Sequence, residues 1–408
     1  MAQEAEYRIY GYRWIVLLVY FIITTIIQMQ WLTFAPIARE ARIVYDASAL
    51  QIDILSMIFM AVFLIVCIPA SYVIDTFGIR IGVGIGAALA GIFGMMKGIF
   101  ASSYTMVVIA QIGLAVAQPF IINAVTKVVV HWFPINERAT AVGLGTLAQF
   151  LGIIIVMIAT PFMIIKTGDT YDLSGMLLTY GIISAIGALA LIIFLKEYPP
   201  TPPGAEREEE RFLTFDGIKH IFKHRDMILT IGLFFIGLGI FNALSTCIDQ
   251  ICEIKGLTIE QTGLVGGMML IAGIIGAVVV PPFSDKFRKR KIFLVAALTL
   301  MTPGLIGMTI ADGYAPMLVS SFVLGFFLLG AGAPIGFQYG AEVSYPAPES
   351  LSQGIILFAG QVSGILFILG MNKLGMIPFM VVFIVLAVIN IIIASLLRES
   401  PLILDDPK

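Results

Sequence analysis

Charge is what this sequence has least of. Asp, Glu, Lys and Arg make up 12% of its 408 residues, against 59% hydrophobic residues and a mean hydropathy of +1.00. A soluble domain of this length needs far more charge to cover its surface. The net charge of −2 leaves no basic field for a nucleic acid and gives no sign of an acidic partner. Cysteine is equally sparse: Cys67, Cys247 and Cys252 form no CxxC pair. Three cysteines make no disulfide framework and read as small buried hydrophobes. His131, His220 and His224 fall in loops without metal-ligand spacing. There is no GxxxxGK[ST], no HExxH and no Ser–His–Asp arrangement, which excludes the common nucleotide and hydrolase chemistries. The sequence therefore predicts no catalytic residue, no metal and no cofactor. No small-residue cleavage site follows the apolar run from Trp14, which is too long for a signal-peptide core and reads as a true span.

What is present is apolar length. A bilayer core takes about 20 apolar residues per helix. Such segments are predicted at 13–36, 54–75, 79–100, 104–129, 140–165 and 175–196. A second set is predicted at 227–250, 261–284, 291–311, 314–339, 351–372 and 376–397. Between them runs one long polar stretch, with Pro199-Pro200-Thr201-Pro202-Pro203 and then Glu206-Arg207-Glu208-Glu209-Glu210-Arg211. Proline and alternating charge mark a solvated linker, with a short surface helix expected over 212–224. The predicted organisation is thus 1–196, a linker at 197–226, and 227–408. With both ends inside, 18 Lys and Arg fall in inside segments and 5 in outside segments, while Lys97 lies within a span. That asymmetry predicts cytoplasmic termini and an integral protein of the cytoplasmic (inner) membrane.

The two sets of six repeat one another. Asp75, Phe77 and Arg80 recur as Asp285, Phe287 and Arg290, at an offset of 210. Pro134, Glu137, Gln149 and Gly152 recur as Pro346, Glu349, Gln361 and Gly364, at an offset of 212. Halves of six spans start on the same side, so the repeat is parallel. The predicted fold class is an all-α membrane protein of the major facilitator fold: twelve transmembrane helices in two six-helix bundles around a central cavity. A monomer is expected, in contact with the lipid bilayer and a small-molecule solute.

Several segments carry a closer likeness. They are Gln28-Met-Gln-Trp31, Asp53-Ile-Leu-Ser-Met57, Asp75-Thr-Phe-Gly-Ile-Arg80, Met96-Lys97 and Val116-Ala-Gln118. The most specific is Gly336-Phe-Gln-Tyr-Gly-Ala-Glu342-Val-Ser-Tyr-Pro346, with Gly360-Gln361 beyond it. Over most of its length the chain resembles the feline leukaemia virus subgroup C receptor-related family of major facilitator carriers. That family is known for choline and ethanolamine transport, with an older proposal of haem export. The resemblance implies a quaternary ammonium held near mid-membrane, with Trp31, Met60, Gln118 and Gln361 on the binding positions. One position departs: the family's aromatic in the seventh span falls on Asn242, with Phe241 about 100° away on the helix.

The polar residues inside the spans are weighed against their cost in lipid. Trp31 lies deep in the first span, where its face can attract a cation by about 0.5–2 kcal/mol. Gln118 and Gln361 lie near mid-span, open to solute contact or to interhelical hydrogen bonding, and Gln149 is the repeat partner of Gln361. Asn242, Ser245, Thr246 and Asp249 are spaced to share one face of the seventh span. Asp249 reads as a cation attractor or proton-coupling acid, or as a solvated helix-end acid. Lys97 reads as a snorkelling residue. Asp75 and Arg80 form a candidate gate in the loop after the second span. Lys127 and Glu342, at the inner ends of the fourth and tenth spans, are inner-gate ion-pair candidates. Arg288–Lys291 reads as positive-inside anchoring.

Together these predict a secondary active or facilitative carrier of a small organic solute, working by alternating access, with choline or a related amine as the solute. A proton-coupled carrier of organic acids or other metabolites is the alternative, against which stands the shortage of Lys and Arg in the spans. A non-transporting receptor is disfavoured by the lack of a sizeable extramembrane domain.

Overall fold

The computed structural model describes residues 8–134, 137–168, 170–203, 219–345 and 349–400. Among them are twelve helices long and apolar enough to cross a membrane. The first six spans are Arg13–Tyr45, Ala49–Phe77, Ile79–Ile99, Tyr104–Trp132, Thr140–Phe162 and Ser174–Phe194. The other six are Arg225–Thr246, Ile259–Phe287, Lys291–Ile310, Tyr314–Ser344, Leu351–Leu374 and Met376–Leu396. The charged run 206–211, most of the surface helix expected over 212–224, Pro346 and the Glu349 side chain lie outside the described residues.

The chain forms two compact units, one of Met1–Phe34 and Glu40–Glu209, the other of Ala35–Arg39 and Glu210–Lys408. In the first unit, the first span packs on the fifth and sixth, the fourth on the second and third, and the third on the sixth. In the second unit, the seventh packs on the eleventh and twelfth, the tenth on the eighth and ninth, and the ninth on the twelfth. Each pairing of one unit is a pairing of the other shifted by six spans, so the repeat read from a few residues extends to the packing.

Local chemistry repeats as well. The second span opens with a capping box in which Ser48 accepts from the Gln51 amide and Gln51 Oε1 accepts from the Ser48 amide. The eighth opens with the same box, Thr258 and Gln261, at the same offset of 210. Each box satisfies donors that a helix start leaves orphaned. After the second span the chain turns at Gly78, with φ +90°. Its repeat mate Arg288 also has positive φ, at 54°. Gly98 shows the other use of glycine, because a Cβ there would lie 2.6 Å from the Leu178 Cα of the sixth span.

Four helices depart from the sequence expectation. The first stops at Trp31 and gives way to a 3-10 turn, Ala35–Ile37, before resuming as Ala38–Tyr45. Pro36 contributes to this, since it has no amide to donate to the Leu32 carbonyl. The seventh was expected to run to 250, but it ends at Thr246, and a separate helix Ile248–Ile254 follows Cys247. The fifth ends at Phe162, and Ile165–Thr167 pairs antiparallel with Thr170–Asp172. The tenth contains a π turn, Phe326–Gly332, just before Pro334, whose missing amide breaks the regular ladder.

Candidate functional site

In the first unit Gln118 and Gln149 are hydrogen-bonded to Gln28 of the first span, the helix that carries Trp31. Trp31 is 7% exposed, and its indole Nε1 donates to the Ser56 carbonyl at 3.2 Å. Ser56 and the buried Met60 are one helical turn apart on the second span. Gln28 lies three residues before Trp31 and so shares its face. Gln118 Nε2 donates to Gln28 Oε1 at 3.1 Å, and Gln28 Nε2 donates to Gln149 Oε1 at 3.1 Å. The fourth, first and fifth spans are thereby joined by a directional chain of three amides. Such a chain polarises cooperatively. Its electron-rich end is Gln118 Oε1, which accepts no hydrogen bond among the described residues. Gln28 entered the sequence analysis only as part of the Gln28-Met-Gln-Trp31 segment and without a site role, although its spacing from Trp31 would have flagged it.

In the second unit Asn242 is buried, and its Nδ2 donates to the Gly360 carbonyl at 3.1 Å. That bond fixes the seventh span against the eleventh beside Gln361. Gln361 Oε1, Ser245 Oγ and Thr246 Oγ1 are buried without a hydrogen-bond partner among the described residues. The helix end after Thr246 takes Asp249 out of the predicted stripe. Asp249 is neither solvated nor free: its side chain is fully buried and pairs with Arg39 at 2.6 Å. The Arg39 amide and Nε donate to its two oxygens at 2.7 and 2.8 Å. Both residues belong to the second unit, because the Ala35–Ile37 turn packs on the Ile248–Ile254 helix and the eighth span.

Lys97 does not snorkel. It is 0% exposed, and Nζ donates to Thr33 Oγ1 at 3.1 Å and Gln111 Oε1 at 3.2 Å. Position along the helix suggested an outward reach, but the helix face it occupies points into the unit.

Lys127 and Glu342, the inner-gate ion-pair candidates, each take part in an ion pair within their own unit. Lys127 bonds the Ile74 carbonyl at 2.7 Å and Asp75 at 3.2 Å, within the first unit. Glu342 accepts from Arg290 Nη2 at 3.0 Å and Gln338 Nε2 at 3.0 Å, within the second. Arg290 also pairs with Asp285 and is 7% exposed, so it is not a simple surface anchor. Burial opposes its charge, but hydrogen bonds to Glu342 and Asp285 more than compensate and raise its pKa above the ordinary arginine value. The repeat mate Arg80 is exposed, and its amide is held by Glu197 Oε2 at 2.7 Å. Glu197 also accepts from the Ile79 amide at 2.9 Å. Glu399 does the same for the ninth span, accepting from the Arg290 amide at 2.7 Å. The sequence reading missed both glutamates, although Leu195-Lys196-Glu197 and Leu397-Arg398-Glu399 repeat at an offset of 202.

A further cleft in the second unit, between Phe234, Leu298, Leu329 and Gly336, is lined by apolar side chains and holds none of the predicted residues. Among the described residues no group of His, Cys, Asp and Glu is arranged to hold a metal ion.

The family model of the Major Facilitator Superfamily matches residues 16–368. An uncharacterized MFS-type transporter of Caenorhabditis elegans is 26% identical over 89% of this chain and 64% of its own length, so the chain spans just under two thirds of that relative. A human protein named choline/ethanolamine transporter FLVCR2 is 27% identical over 89% of this chain and 72% of that protein. Among solved structures, a bacterial homolog of the human lysosomal transporter Spinster aligns with a TM-score of 0.73 at 15% identity, covering 95% of this chain and 97% of the other.

Proposed function

We propose a small organic amine, of the choline or ethanolamine kind, as the solute, on the premise that the chain belongs to the Major Facilitator Superfamily and is a membrane transporter. The observation that carries this reading is the amide chain of Gln118, Gln28 and Gln149 beside Trp31. A tryptophan face attracts a cation by about 0.5–2 kcal/mol. An amide oxygen at the negative end of a polarised chain adds to that attraction, and no carboxylate is needed. The relatives named for choline and ethanolamine support the same class. In the second unit, Asn242 and the unpartnered Gln361 oxygen supply neutral acceptors of the same kind.

An organic acid fits less well. It would need a cationic clamp, and the buried Lys97 already directs its donors to Thr33 and Gln111. Asp249 is assigned to the Arg39 pair and not to proton coupling. Asp75, Arg80, Lys127 and Glu342 are assigned to holding the loops between spans in register, as parts of an alternating-access carrier. Both termini are placed on the cytoplasmic side of the cytoplasmic membrane, supported by the 18-to-5 asymmetry of Lys and Arg, and the carrier is taken to act as a monomer.

Labelled choline and ethanolamine should enter proteoliposomes containing the purified protein in a saturable manner. Gln118→Leu should raise KM about tenfold by removing one polar contact. Uptake of an organic anion with none of any amine would overturn the reading.

A further inference from the structure

The first span breaks immediately after Trp31, and a broken helix leaves its last carbonyls without amide donors. Thr33 Oγ1 donates to the Met29 carbonyl at 2.9 Å and approaches the Gln30 carbonyl at 3.2 Å. The same oxygen accepts from Lys97 Nζ, which also lies 3.5 Å from the Gln30 carbonyl and 5.6 Å from the centre of the Phe34 ring. Among the described residues no carboxylate forms an ion pair with Lys97. Its charge instead faces the negative end of the broken helix, where a cation is stabilised.

A second connection leaves Lys97 in another direction. Gln111 Oε1 accepts from Nζ, and Gln111 Nε2 donates to the Leu55 carbonyl at 2.9 Å. The next carbonyl along the second span, that of Ser56, is the one that accepts the Trp31 indole. One ammonium therefore holds both the backbone that carries Trp31 and the strip of backbone against which the indole is fixed.

We propose that Lys97 is a positioning residue for Trp31, acting through Thr33 on the first span and through Gln111 on the second. Its bearing on transport rests on Trp31 contacting the solute, but its effect on the indole does not. A buried lysine that only filled space would leave the indole unchanged when replaced by an apolar residue of similar length.

The test uses full-length protein in which Trp14 and Trp132 are replaced by Phe, so that Trp31 is the one tryptophan. Its emission and its quenching by acrylamide are read without solute, and amine uptake is then measured in proteoliposomes. Lys97→Met should shift Trp31 emission to longer wavelength and increase quenching. It should raise KM for the amine about tenfold, with a smaller change in Vmax. Gln111→Leu, which keeps the lysine, should move emission in the same direction. Lys97→Arg, which keeps the charge and the donors, should recover most of the wild-type signal. Wild-type emission and quenching in folded Lys97→Met would overturn the proposal. If that variant does not fold, unchanged emission in Gln111→Leu would do so. A shifted Trp31 in a protein that takes up no amine would leave the positioning role standing and remove only the solute reading.

Discussion

Asp249 and Lys97 show how burial alters the reading of a single charged residue. Both lie near the ends of apolar segments, where a charge usually reaches solvent. Asp249 instead sits with its side chain fully buried against Arg39, and Lys97 is 0% exposed. Removing one member of a buried pair leaves the other charge uncompensated, at a cost of about 3–5 kcal/mol. Asp249→Ala is therefore expected to lower the thermal unfolding temperature of the detergent-purified protein sharply. Asp249→Asn keeps the shape and should leave the pH dependence of uptake as in wild type; a lost pH response would restore a coupling role to this acid. The sequence placed Asp249 on a polar stripe because it counted an unbroken helix. The end at Thr246 carries no proline or glycine signal, and Arg39 lies 210 residues away.

At the scale of the element, the loops after the second and eighth spans share a motif but not its energetics. Asp75 is 74% exposed on its side chain, so its pair with Lys127 is expected to contribute under about 1 kcal/mol. Glu342 faces Arg290 with 7% and 9% of their side chains exposed, and its loss should cost about 3 kcal/mol. Thermal unfolding of Glu342→Ala and Asp75→Ala should therefore give a large and a small shift respectively. Equal shifts would show that the two repeats bear the same load. The Asp and Arg of both repeats were legible because they are local and spaced alike. The capping boxes at Ser48 and Thr258 carry the Ser/Thr-x-x-Gln spacing, but the sequence reading did not identify them. Glu197 was harder to assign, because the amides it holds at Ile79 and Arg80 are over a hundred residues earlier. The twelve spans were plain because each is a long apolar run, whereas the breaks at Leu32 and Cys247 are set by tertiary packing as much as by local sequence.

Across the whole molecule, the duplication is firmer in the packing than in the residues. Few positions match between the halves, yet the five main span pairings of one unit recur in the other. This fits selection acting on helix faces, where many apolar residues serve equally well. The orientation inferred from Lys and Arg has its own check. Arg8→Cys and Arg398→Cys, each made in a Cys67→Ser background, should react with an impermeant thiol reagent only after the membrane is opened. Labelling of intact cells at either position would reverse the assignment.

Recognition of an amine by Trp31 and the amide chain beside it can be measured by comparing uptake of labelled choline and ethanolamine into proteoliposomes carrying the wild-type protein or Trp31→Ala. Saturable uptake of at least one amine by the wild type, lost in Trp31→Ala, is the predicted result. Undiminished amine uptake by a correctly folded Trp31→Ala protein would contradict it.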